Sequence, residues 1–255
     1  MATTTPMLIR VQANGGKFLA DDIGGAEVTV RDARTGRWLD GGRAQGPDSG
    51  TLQQGYVSGA SRSAVVTPGI PPAPLLVQWL VPKTGKTSGL TVHLPITQPT
   101  LLEVEVYGPL GGLQSARRVV TSTWAVPGQP ITQEPGFVVE LPGLVVQVQQ
   151  PPTHLEYSSV PQSVSFMVNV TMMCGCPIGP GLAWIPEDFT VTAAVERIGS
   201  GEPPAHVNLG FLQSPSLFQG SFTLKERGFY QAAITAVQKS TGNLGTGTVT
   251  FFTKP

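Results

Sequence analysis

Charge is what this chain has least of. Only 13% of its 255 residues are charged, and 16 basic side chains cancel 16 acidic ones to a formal net charge of zero. They are scattered singly, so no basic stripe exists to meet a phosphate backbone and no cluster to hold an anionic bilayer; nucleic acid is not an expected partner. Long apolar runs are missing as well, none reaching the roughly 18 residues of a membrane-spanning helix. No long segment repeats its apolar residues at three and four, which removes helices as the main building material. There is no G-x-S-x-G elbow, no phosphate-cradling glycine loop and no H-E-x-x-H, so the sequence offers no catalytic set and the chain is read as a non-enzyme. Cysteine occurs twice, which neither demands nor forbids an oxidising compartment. The first residues, 1–6, lack the basic and apolar parts of a signal peptide.

What the chain has instead is glycine (31), proline (24) and short Val-rich runs that alternate with polar residues. Turn residues between period-two runs are the pattern of strands, and the length suffices for two cores. The expected fold is therefore all-β, with two antiparallel sandwich domains in tandem. The first spans residues 1–148 with a long irregular loop at 43–73; the linker is 149–152, Gln-Gln-Pro-Pro, where two prolines deny ladder donors; the second spans 153–255. Low charge and strand-only architecture favour an extracytoplasmic place, periplasm or cell surface, for a mature chain whose signal peptide is absent from this sequence.

Residues 24–42, GGAEVTVRDARTGRWLDGG, alternate Val28 and Val30 with polar residues and then turn at Arg34-Thr35-Gly36-Arg37. This resembles the opening hairpin of carboxypeptidase-regulatory-like and related prealbumin-type sandwich domains, a resemblance that implies a fold and carries no catalytic residue. In residues 153–255, seven runs recur at regular spacing: 153–157, 163–173, 189–197, 206–212, 217–224, 228–238 and 245–253. Together with Gly228-Phe229-Tyr230 opening the sixth, they resemble a bacterial immunoglobulin-like sandwich, which implies that Tyr230 tethers a corner. The sixth run has no cysteine, so the inter-sheet disulfide of antibody domains is not expected.

The sharpest local chemistry is at residues 164–178, VSFMVNVTMMCGCPI. As a strand it directs Val164, Phe166, Val168, Val170 and Met172 to one face, and if the strand persists Cys174 and Cys176 extend that face into a row of sulfur atoms. Three readings stay open. The thiols are small buried residues; or they form a disulfide, for which the extended separation of about 6.6 Å is at the upper edge and Gly175 would supply the bend; or, with Met172 and with His154 from the first strand of the same domain, they form a soft-metal site for copper or zinc. Asp21, Asp22 and Asp48 read as charged turns and Glu187-Asp188 as a solvated strand entry. Of the four tryptophans, Trp79 and Trp124 lie within apolar strands and read as core, while Trp38 and Trp184 read as exposed platforms in different domains, suited to a glycan.

These readings favour a structural or accessory interaction protein with a protein partner or a second copy of itself. A metal-handling protein and a carbohydrate-binding module are the alternatives.

Overall fold

The computed structural model describes residues 4–46, 87–133 and 135–254. Trp79, Asp48 and the body of the 43–73 connection, with residues 64–67 and 75–81, lie outside the described residues. Within them the chain forms fifteen strands and three single-turn 3-10 segments, with no α-helix. It divides into two compact units, the main break falling between Pro142 and Gly143 and the short stretch Met173–Gly175 grouping with the first.

The first unit holds β1 (Thr5–Ala13), β2 (Ala26–Asp32), β3 (Trp38–Ala44), β4 (Leu90–Leu94), β5 (Thr100–Gly108), β6 (Arg117–Ala125) and β7 (Phe137–Leu141). They make a three-stranded sheet in the order β4-β1-β7 and a four-stranded sheet in the order β3-β2-β5-β6. The pairing of β1 with β7 is parallel, so this unit is not purely antiparallel. On five of these strands period-two alternation buries an apolar set: Met7, Ile9 and Val11; Val28 and Val30; Val92 and Leu94; Leu102, Val104 and Val106; Val139 and Leu141. Each such side chain contributes roughly 1.5–3 kcal/mol of apolar burial.

The D-x-x-T-G signature has a visible cause in the β2–β3 turn. Asp32 Oδ1 accepts from the backbone N–H of Arg34 (2.9 Å) and Thr35 (3.1 Å), while Gly36 takes φ +70, open to a residue without Cβ. Desolvation opposes ionisation of Asp32, but those N–H groups prevail and hold its pKa below 3.8.

The second unit holds β8 (Leu144–Gln150), β9 (Leu155–Tyr157), β10 (Gln162–Met172), β11 (Phe189–Arg197), β12 (Ala205–Phe211), β13 (Leu217–Leu224), β14 (Gly228–Gln238) and β15 (Leu244–Thr253). Its pairing order is β8-β10-β13-β12-β11-β14-β15-β9. The ribbon folds at β12, which joins β11 along five residue pairs and β13 along only two. Core contacts then cross between the halves, as Phe166 of β10 meets Phe251 of β15 at 6.2 Å and Phe222 of β13 meets Tyr230 of β14 at 6.2 Å. Val164, Phe166, Val168, Val170 and Met172 are all buried, the face assigned to them by alternation.

The prolines at 151 and 152 have a different role from the expected linker. Gln150 is still in β8, opposite Met167 of β10, whereas β9 lies parallel to β15 on the other half. Pro151-Pro152 thus stand between two strands, β8 and β9, that lie at the two ends of the same pairing order. The corner expected at Tyr230 is present: its hydroxyl donates to the Glu226 carbonyl at 2.9 Å. Burial outweighs the nearby Arg197 and raises the Tyr230 pKa above 10.0.

Candidate binding face

The sulfur row does not form. β10 ends at Met172, whose N–H donates to the Cys176 carbonyl at 3.1 Å, and Thr171 bridges to Pro177 as the chain returns. Gly175 makes the reversal with φ +81. Cys174 is buried beside the turn at Gly16, where a Cβ would come 3.1 Å from its Sγ; Cys176 is half-buried, and no disulfide joins the two. His154 is elsewhere. Its ring lies 4.8 Å from that of Phe252, at the level of Phe166, so Met172 is about 20 Å further along β10. No group of three or more His, Cys, Asp or Glu side chains converges among the described residues, so the structure does not assemble Cys174, Cys176, Met172 and His154 into one donor set.

Asp188 is also not the solvated entry expected of it. It is buried, and its carboxylate accepts from Gln238 Nε2 (3.0 Å), the Ser240 backbone N–H (3.0 Å) and the Ser240 hydroxyl (2.5 Å). It therefore clamps the β14–β15 hairpin to the start of β11. Replacing Asp188 with alanine should cost about 2 to 3 kcal/mol, because buried donors lose a charged acceptor. Urea denaturation would check this; a loss under about 0.5 kcal/mol would mean that water replaces the carboxylate.

The tryptophans are rearranged relative to the sequence reading. Trp184 is 5% exposed, held inward by the Gly179 N–H on its carbonyl, and so is no platform. Trp124 is 62% exposed and Trp38 57%, and both stand on the outer face of the four-stranded sheet. Strand register fixes this. The buried Leu102 is opposite Thr123, so Trp124 pairs with outward Leu101, while Trp38 pairs with outward Arg31. A bulge after Val30 absorbs Leu39 into the core, and a Cβ at Gly41 would lie 3.5 Å from Trp38 Nε1, so the indole edge lies beside a position without a side chain.

Most of the rest of the face is polar. Cross-strand rows run Arg43, Glu27, Tyr107, Arg118; then Gly41, Thr29, Glu105, Val120; then Trp38, Arg31, Glu103, Ser122; and finally Leu101 with Trp124. Arg118 Nε pairs with Glu105 Oε1 at 3.2 Å, whereas the heads of Arg31 and Glu103 form no ion pair among the described residues. The arrangement offers a flat apolar surface on each of the two edge strands, with hydrogen-bonding groups of both signs on the strands between and beside them.

No protein-family model and no curated protein matches the chain. Among solved structures it is similar to the fibronectin(III)-like modules of CbhA from Clostridium thermocellum, at 8% identity, covering 98% of this chain and 94% of that one with a TM-score of 0.29. It is similar also to a DUF3823 family protein from Bacteroides uniformis, at 11% identity, 97% and 99% coverage and a TM-score of 0.30. The sandwich assignment rests on the strand pairing itself.

Proposed function

We propose that this chain is a non-catalytic interaction module that works outside the cytoplasm, docking on a larger assembly or on copies of itself. The observation that carries the proposal is β6. Among the described residues it pairs with β5 alone, and no described strand hydrogen-bonds to its other edge. Charged residues are confined to its first two positions, and Val120 and Trp124 are exposed beside the edge. Natural edges of that length are normally blunted by charge, proline or a covering segment, and an unguarded one invites a partner strand. The absence of any recognised catalytic motif and the low charge of the sequence support the same reading.

Sedimentation over a wide concentration range, together with native purification from the source cell, tests it. Association or a co-purifying assembly is expected, and Val120→Lys should weaken it at least tenfold while changing thermal stability by less than about 0.5 kcal/mol, as is usual for an exposed substitution. A protein that stays monomeric at high concentration and returns without a partner would refute the proposal.

A further inference from the structure

We propose that the outer face of the β3-β2-β5-β6 sheet binds a neutral oligosaccharide chain, with Trp38 and Trp124, on its two edge strands, stacking on sugar rings. This goes beyond the interaction role above and concerns the face of the sheet, where that role concerns the β6 edge.

Three features of the face select the ligand. First, two indoles more than half exposed share it. An indole in water is a poorly solvated plate with one polar edge, and the C–H face of a pyranose ring is a ligand that covers the plate while its hydroxyls stay wet. Second, the ground between the indoles is polar. Arg31, Glu103 and Ser122 continue the row of Trp38 across the sheet toward Trp124, which stands one row further on beside Leu101. Arg31 and Glu103 stand opposite each other on β2 and β5 without an ion pair among the described residues, and each keeps hydrogen-bonding capacity that a purely apolar surface laid on this face would leave unmet. Sugar hydroxyls can serve both, accepting from the guanidinium and donating to the carboxylate.

Third, the charge balances. Three guanidiniums, of Arg31, Arg43 and Arg118, meet three carboxylates, of Glu27, Glu103 and Glu105. A face of zero net charge gives no advantage to a polyanion or a polycation and suits an uncharged chain.

Size follows from the register. Trp38 and Trp124 are separated by three strand spacings and one row, about 16 Å between their backbones. That is longer than a single sugar, so one monosaccharide cannot touch both indoles. Linked sugars gain from the second contact as an intramolecular event, and affinity should climb with chain length until both indoles are engaged.

The experiment is calorimetric titration of the whole chain with di-, tetra- and hexasaccharides of β-1,4-glucose, β-1,4-xylose, β-1,4-mannose and α-1,4-glucose. At least one hexasaccharide is expected to bind at or below about 1 mM, at least tenfold more tightly than its disaccharide. Trp38→Ala and Trp124→Ala should each weaken it about tenfold or more, and Phe229→Ala, an exposed ring of the second unit, should leave it unchanged. If either variant fails to fold, oxidation of the exposed indoles of the unmodified protein by N-bromosuccinimide replaces it: the bound hexasaccharide should protect Trp38 and Trp124. No binding across the panel would overturn the proposal. So would binding that survives both substitutions and leaves both indoles open to the oxidant, or a loss of self-association in the two variants with no sugar bound, which would make the face a protein interface.

Discussion

Phe166→Ala should destabilise the second unit by about 3 to 5 kcal/mol, the range for deleting a large buried ring. The ring is fully buried at mid-strand in β10, 6.2 Å from Phe251, which itself stacks on Tyr230 at 5.6 Å. The deletion therefore removes one member of a chain of rings that ties β10 to β14 and β15 across the core. Those strands are long and already paired along ten residues, so the backbone cannot close the space that the ring leaves. Phe166→Leu keeps most of the volume and should cost much less. Chemical denaturation of both variants is the measurement, and a loss below about 1 kcal/mol for alanine would mean that the core relaxes freely around this position.

The sequence disclosed this core because alternation is unambiguous where one face is all apolar. In β10, Val164, Phe166, Val168, Val170 and Met172 alternate with Ser165, Asn169 and Thr171, and a one-residue slip would bury hydroxyls and an amide. The turn residues were equally legible, since Gly36 and Gly242 have positive φ where their hairpins reverse. β6 gave no such signal. Its sequence RRVVTSTWA puts Val119, Thr121, Thr123 and Ala125 on one face and Arg118, Val120, Ser122 and Trp124 on the other, and the second set contains the larger apolar side chains. Only the pairing of Thr123 with Leu102 turns Trp124 outward, and pairing is a property of two strands that neither states alone.

The candidate sites misled for a related reason. Cys174 and Cys176 stand two apart, which means a shared face only while the strand lasts. The Met172 to Cys176 hydrogen bond ends it first. Trp184 sits in a segment without alternation, where exposure is the natural expectation, yet the loop from Gly179 closes back on its carbonyl and carries the ring inward. Asp188 looked like one of two acids in a row. Its burial depends on Gln238 and Ser240, fifty residues away in the chain and adjacent in the sheet.

The last strand holds the other large effect. Gly245 and Gly247 face inward on β15, beneath β8, while Thr246 and Thr248 face out. A Cβ on Gly245 would be driven onto the Leu144 carbonyl oxygen and within 2.9 Å of both Leu144 C and Cβ. Backbone cannot step aside as a flexible side chain does, so the two strands must separate and β8 must loosen from β10. A Cβ on Gly247 meets Val146 O at 3.0 Å and Val146 Cγ1 at 3.3 Å, a tight fit that a small shift relieves. On β12, Gly210 has nothing within 4 Å of such a Cβ. The expected order of cost is therefore Gly245→Ala at about 3 kcal/mol, the upper end for overpacking, Gly247→Ala at about 1 kcal/mol, and Gly210→Ala near zero. Gly245→Val should leave β8 undocked, seen as rapid amide exchange over Leu144–Gln150 with the β11, β14 and β15 amides still protected. Equal stabilities for the Gly245 and Gly210 alanine variants would show that β8 does not need the glycine to reach β15.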